Sequence, residues 1–401
     1  MRPFAGERMF HETTLFNRNF ILACLCNLTF SMAGHMLIPV LPLYLTAELG
    51  ASTSMTGIIV SIFAISALVM RPFAGYLVDF FQRRSVFLLT AIPFVFCAAG
   101  YTVIASLAGI AVLRLFHGAT FSANQTLVTT LAVDAIPVNK LGTGIGIYGI
   151  LATVSMALGP MFGLMLQAHS YGMTFLGGAV AAMVSLALGM SIKMRPVVVE
   201  GSTQKRLALE NFIFFKALWL AFALMLTTFS FGLVINYISL FAREKCMDSV
   251  VGLFFMFFAA GMFVSRIIGS PFIDRGYFLR AIIPGKAAIV VAFYFFVNST
   301  APFELYLAAS FMGIGYGIIS PTYQTRLLQL ADEDKKGMAN STFFLTWDVG
   351  IGLAMLTGGF IADHTSLAVM FETGAVMVVL SALYLFFATR AVRRKAATTA
   401  A

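Results

Sequence analysis

The stretch RPFAGYLVD, from Arg71 to Asp79, decides the fold because the chain repeats its charge pattern 195 positions later as RIIGSPFID, from Arg266 to Asp274. In both copies a basic residue stands eight positions before an acidic one, at the close of a long apolar run. A soluble enzyme has no reason to carry such a pair on a background that is 60% hydrophobic and 11% charged. Two matching membrane bundles that rock against each other around a central site do have one.

Composition points the same way. A soluble domain draws about a quarter of its residues from the charged set, and the mean hydropathy here is +0.91. The apolar runs are long and continuous. They suit helices of about 20 residues crossing a bilayer and not the alternating strands of a β-barrel. Twelve spans are expected, near 20–45, 54–78, 86–106, 108–131, 142–166, 172–192, 214–240, 249–273, 280–298, 302–328, 338–362 and 367–389. The fold class that follows is an all-α membrane protein, twelve transmembrane helices in two pseudo-symmetric six-helix bundles. The bundles are expected over 1–192 and 214–401, joined by a polar linker at 193–213 that contains VVVEGSTQKRLALEN.

Charge sets the expected orientation. Arg83, Arg84, Lys140, Lys193, Arg195, Lys205, Arg206, Arg275, Arg280, Lys335, Lys336 and the tail Arg390, Arg393, Arg394 and Lys395 all fall in loops on one side. The other side offers Arg243 and Lys245, set among Glu244 and Asp248. The positive-inside rule then places both termini in the cytoplasm of a bacterial inner membrane, as a multi-pass protein. Topology accounts for the net charge of +9, so nucleic acid is not expected as a partner, while linker cations suit anionic lipid headgroups. Cys24, Cys26, Cys97 and Cys246 lack metal-ligand spacing, and three of them read as small core residues. The N-terminus runs into a full span with no short apolar core and cleavage site, so it is expected to be retained.

Further internal matches support the repeat. NQTLVTTLA from Asn124 aligns with YQTRLLQLA from Tyr323 at an offset of 199, placing Gln125 over Gln324 and Gly118 over Gly317. GTGIGIYG from Gly142 lies near GMANSTFF from Gly337 at 195 again, which assigns a four-residue change to an inner loop.

These motifs resemble those of the major facilitator superfamily, in particular its drug- and metabolite-exporting proton antiporters. The loop after span two carries Gly75, Asp79, Arg83 and Arg84, with Gln82 where a second glycine is common. Span four carries Arg114, His117 and Gly118, with His117 where glutamine is usual. Span five carries the antiporter signature as Gly159, Pro160 and Gly163, preceded by Gly149. The resemblance covers the full length. It implies that the Gly75–Asp79–Arg83–Arg84 cluster latches the inner gate, with Asp274 as the second copy, and that the Gly-Pro motif seals against proton leak.

The residues themselves suggest further roles. Gly159 and Pro160 are expected to kink span five, with Gly163 allowing tight packing between the halves. Arg71 and Arg266, near the inner boundary, suit snorkelling or gate pairing better than substrate contact. Arg114 is an intramembrane cation, a functional position by default; with His117 one turn on and His35 at similar depth, it suits an anionic group or a proton relay. Asp348, in FFLTWDVGIGL, has no other charge from Met338 to Ala362 and is the foremost proton-coupling candidate. Asn27, Gln125, Asn236, Tyr237, Tyr316, Tyr323, Gln324 and Trp347 are expected along the cavity.

The function expected is proton-coupled export of a small organic or amphipathic solute by alternating access, by a monomer with protons and membrane lipids as its other partners. The alternatives are a proton symporter importing an organic acid or sugar, a lipid or lipid-linked solute flippase, and a sensor or scaffold that moves nothing. No His-rich metal site, nucleophile elbow or phosphate-cradling loop is present, so neither an enzyme nor a cofactor is expected.

Overall fold

The computed structural model describes residues 14–137, 140–194, 214–247, 250–274, 278–331 and 336–400. Twelve α-helices follow one another: α1 (Arg18–Ala47), α2 (Thr53–Phe80), α3 (Arg83–Gly100), α4 (Leu107–Ala135), α5 (Leu141–Gln167), α6 (Tyr171–Met190), α7 (Leu218–Glu244), α8 (Val251–Asp274), α9 (Phe278–Val297), α10 (Pro302–Leu330), α11 (Lys336–His364) and α12 (Leu367–Ala400). Among the described residues, ten are long and apolar enough to cross a membrane. Of the other two, α4 is diluted by Arg114, His117 and its polar neighbours, and the described apolar part of α8 is the shorter Val251–Arg266. The polar linker expected over 193–213 lies almost wholly outside the described residues.

We call the end where α1 begins and α12 finishes the terminal face, and the opposite end the distal face. Five helices that start at the distal face, α2, α4, α6, α10 and α12, carry their own caps. The hydroxyls of Ser52, Ser106, Ser170 and Ser366 accept from the backbone N–H of Met55, Gly109, Met173 and Val369. Glu304 turns back to accept from the N–H of Ala301 at 3.0 Å. A side-chain acceptor satisfies a donor that the first helical turn leaves orphaned.

Inside each half, small residues let helices touch backbone to backbone. A Cβ on Gly118 of α4 would sit 2.2 Å from the Phe63 carbonyl of α2, and one on Gly313 of α10 would sit 2.0 Å from the Phe258 carbonyl of α8. Both residues of the second contact lie 195 positions after those of the first, so the repeat extends into packing. It also corrects the alignment of Gly118 with Gly317, since the offset stays at 195 through α4 and α10. The slip of four is about one helical turn, which puts similar residues on the same face and so mimics a match.

The halves meet through α1 with α7, α2 with α11, and α5 with α8. They close at the distal face. Gly57 and Gly359 let α2 and α11 touch, a Cβ on Gly57 falling 2.5 Å from the Met355 carbonyl. Toward the terminal face they part, and a Cβ on Gly75 of α2 or Gly149 of α5 would find no atom within 4 Å.

Candidate transport site

The charged contact between halves is built from α2 and α11. Arg71 donates from Nε and Nη2 to the two oxygens of Asp348, with Nη2 to Oδ1 at 3.1 Å. This two-point grip fixes both distance and plane, as guanidinium and carboxylate geometry favours. Each side chain remains 18% accessible, so the pair is within reach of water from the open terminal side. Asp348 is therefore not the solitary charge its own helix suggests: its partner comes from the other half, 277 residues away.

The second seam, α5 against α8, carries the repeat-related arginine. Arg266 donates from Nη1 to the Thr153 hydroxyl at 3.0 Å. Its Nε is buried without an acceptor. Thr153 in turn donates to the Gly149 carbonyl at 3.1 Å.

Arg114 and His117 lie together in α4, but inside the first half and not on a passage. Arg114 donates to the Val60 carbonyl at 3.2 Å and lies 4.3 Å from the Phe63 ring centroid. His117 pairs through Nδ1 with the Tyr101 hydroxyl at 3.2 Å. Both are buried, at 5% and 0% exposure. His35 does not join them, because it faces α5, with Nδ1 3.4 Å from the Ser155 hydroxyl. Shared depth in the membrane does not make a shared face, and the expected three-residue cluster is corrected to two separate sites.

The glycine motif of α5 is corrected in the same way. Gly159 and Gly163 pack on α1 of their own half, a Cβ on Gly163 falling 2.4 Å from the Met36 carbonyl. The helix runs on through Pro160. The face of α5 turned toward α8 carries Thr153 and Met161 instead. Of the expected latch, Gly75 faces space, while Arg83 pairs with Asp134 and Arg84 with the Met190 carbonyl, both within the first half. The side chains of Asp79 and Asp274 lie outside the described residues.

The expected cavity residues divide. Tyr237 is corrected to the distal seam, where its hydroxyl donates to the Met355 carbonyl beside Gly57 and Gly359. Asn27 accepts from Ser31, and Asn236 donates to the Gly232 carbonyl at 2.8 Å; both are buried in helix contacts. Tyr316 is buried too, donating to the Thr227 carbonyl at 2.8 Å. Trp347 remains half-buried, edge-on to Phe231 with centroids 5.3 Å apart, and its indole N–H is buried without an acceptor. Gln125 and Gln324 are half-buried, and Tyr323 is fully buried.

Sequence reasoning passes over three residues. Lys286 of α9 is buried and donates to the Ser381 hydroxyl at 2.5 Å, with the Tyr323 ring centroid 5.8 Å away. A lysine inside an apolar run is its signal. Thr153 stands 195 positions before Asp348, so the repeat itself points to it. Asp363 accepts the backbone N–H groups of Thr53 and Ser54 at 2.8 and 2.7 Å, capping a helix of the other half. Nothing local in the sequence announces that contact.

The known proteins to which this chain is similar include transporters. The family model described as Major Facilitator Superfamily matches residues 23–355. The quinolone resistance protein NorA of Staphylococcus aureus (strain Mu50) is 26% identical over 321 residues, covering 77% of this chain and 81% of that protein. A crystal structure of a point mutant of the nucleoside transporter NupG superposes with a TM-score of 0.78 at 15% identity, covering 92% of this chain and 99% of that one. A bacterial homolog of the human lysosomal transporter Spinster, in an inward-facing and unoccupied conformation, gives a TM-score of 0.72 at 16% identity and covers 93% and 97%.

Proposed function

The chain belongs to the Major Facilitator Superfamily, a family that carries small solutes across membranes, and on that footing we propose that it exports a small organic, amphipathic solute in exchange for protons. The reading takes the terminal face as cytoplasmic in a bacterial inner membrane, as the basic loops suggest, and the working unit as a monomer of two rocking halves over 1–192 and 214–401. The quinolone resistance protein among the relatives supports the outward direction.

The observation that carries the reading is the bond between Arg71 and Asp348 across the α2–α11 seam. In this two-point geometry a guanidinium and a proton are alternative occupants of the Asp348 carboxylate. With Arg71 seated, the distal face is closed and the site opens to the cytoplasm. When bound solute separates the pair and the halves part at the distal side, the bared carboxylate takes a proton from outside and becomes neutral. A proton taken up from outside thus leaves Asp348 toward the cytoplasm as distal closure brings Arg71 back. Solute bound from the cytoplasmic side drives the return.

Purified protein in liposomes tests this. An imposed pH gradient is expected to drive uphill movement of a fluorescent amphipathic amine or acid in the wild type. Asp348→Asn is expected to lower that flux at least tenfold while solute–solute exchange without a gradient persists. Gradient-driven flux unchanged by Asp348→Asn removes the assignment, and flux in the same direction as the protons replaces export with symport.

A further inference from the structure

The two seams follow one design, and two of the positions at which they differ lie beside the arginine. At an offset of 195, Arg71 corresponds to Arg266, Asp348 to Thr153, and Phe344 to Gly149. On the α2–α11 seam the arginine has a carboxylate in front of it and the Phe344 ring beside it, with the ring centroid 5.6 Å from Cζ. On the α5–α8 seam the carboxylate is replaced by a hydroxyl that gives Arg266 one bond of 3.0 Å. The aromatic ring is replaced by Gly149, beside which a Cβ would meet nothing within 4 Å. Arg266 Nε is left buried without an acceptor. Among the described residues the ion pairs are Arg71 with Asp348 and Arg83 with Asp134, and neither involves Arg266.

A guanidinium within the hydrocarbon layer is costly unless an anion or a wet cavity compensates it. Arg71 is compensated within the protein. Arg266 has the same position and the space of a missing phenyl ring, and the described residues supply no anion. We infer that Arg266 is the anchor for a carboxylate on the transported solute, which takes the place that the Asp348 carboxylate occupies on the related seam. Thr153 and Arg266 Nε flank that place, and the volume beside Gly149 receives the apolar body of the solute. The substrate class is an amphipathic organic carboxylate. Arg114 cannot serve this role in the described state, because Val60 and Phe63 enclose it. The inference deepens the transporter reading and rests on it.

Equilibrium binding to the purified protein tests it without any gradient. The probes are radiolabelled 2-naphthoate, 4-biphenylacetate and decanoate, each with its uncharged primary amide. The wild type is expected to bind at least one acid about ten times more tightly than its amide, the discrimination of a charge-assisted bond. Arg266→Gln is expected to bring the two within about twofold. Thr153→Asp is expected to do the same by a different route, since it rebuilds the internal pair and fills the place. Arg266→Lys, which preserves the charge, is expected to retain most of the preference. No acid preference in the wild type, or one that survives both Arg266→Gln and Thr153→Asp, overturns the inference. So does displacement of the acids by chloride at equal concentration, which would make this an inorganic-anion site. An acid preference that holds while gradient-driven flux fails counts against proton coupling alone, so the two readings fail separately.

Discussion

The α2–α11 seam and the α5–α8 seam occupy equivalent places in the two-fold pattern, yet they are finished differently. The first is closed from its distal end down to the Arg71–Asp348 pair. Asp363 caps α2 at the distal face, Gly57 and Gly359 bring the backbones together below it, and Arg71 grips Asp348 deeper still. The second carries Arg266 on Thr153, and at the position equivalent to Asp363 it has Ala168. One seam holds its own counter-charges, and the other leaves a cation over open space. A carrier that must both latch and bind gains from such a division, because a site that satisfies itself has nothing left for a ligand.

The largest effect separating the seams is steric. Gly57→Leu places a side chain where even a Cβ would lie 2.5 Å from the Met355 carbonyl and 2.7 Å from the Tyr237 hydroxyl. Two backbones cannot yield as a flexible side chain can, so the distal face is expected to stay open. Solute flux should fall below a twentieth of wild type, and a cysteine at Ser54 should react with an impermeant maleimide from the distal side. Gly252→Leu on the other seam meets only Met161 Cγ at 3.9 Å and is expected to keep at least half the flux. Equal loss from both substitutions would mean that the seams are equally tight.

The next effect is electrostatic. Arg71→Gln strands the Asp348 carboxylate, which costs about 2–4 kcal/mol for a largely buried partner left unpaired. Arg266→Gln deprives only a threonine hydroxyl, for which a loss under about 1 kcal/mol is expected. Thermal unfolding in detergent at neutral pH should rank the two in that order. The double variant Arg71→Gln with Asp348→Asn should recover most of the loss, because no charge is then left alone. If the two single variants prove equally stable, the α2–α11 pair is not the tighter latch.

Much of this asymmetry is available in the sequence, but not in the form in which a sequence is usually read. Helix number, the 195-residue repeat and helix ends within a few residues, apart from the C-terminal ends of α3 at Gly100 and α12 at Ala400, follow from apolar runs and charge, since a bilayer dictates length. Depth is legible too: Arg114, His117, Asp348 and His35 do lie within their helices. What fails is azimuth. In a soluble helix an apolar stripe marks the buried face, but here lipid and bundle interior are both apolar, and the pattern does not say which way a side chain turns. Hence sequence reasoning groups His35 with Arg114 and aims the glycines of α5 at the wrong neighbour. The pairing of Asp348 with Arg71 needs two helices from different halves. Even so, the repeat gives a route to the second seam, because Thr153 is the position that a search for matching residue types discards as a mismatch. Lys286 escapes notice because its own helix offers it no partner, the hydroxyl it meets being Ser381 of α12.

The smallest difference between the seams lies at the surface. Asp363 is exposed and accepts two backbone N–H groups from the first turn of α2, where the helix dipole also favours a negative charge. Asp363→Asn keeps one acceptor and loses the charge. A loss of about 0.5–1 kcal/mol is expected, in the usual range for a cap at a wet helix end. The charge part of that loss is screened by salt, so the gap between wild type and variant should narrow as ionic strength rises. It should also act on one conformation only, because the cap and the helix it serves belong to different halves and meet only when the distal face is closed. Distal labelling of Asp363→Asn is therefore expected to rise at low salt and return toward wild type at high salt. Removal of a within-half cap, Ser106→Ala, should lower stability by a similar amount at both salt concentrations and leave the labelling unchanged. A salt-independent effect of Asp363→Asn on labelling would show that hydrogen-bond geometry, not charge, holds the distal end of this seam.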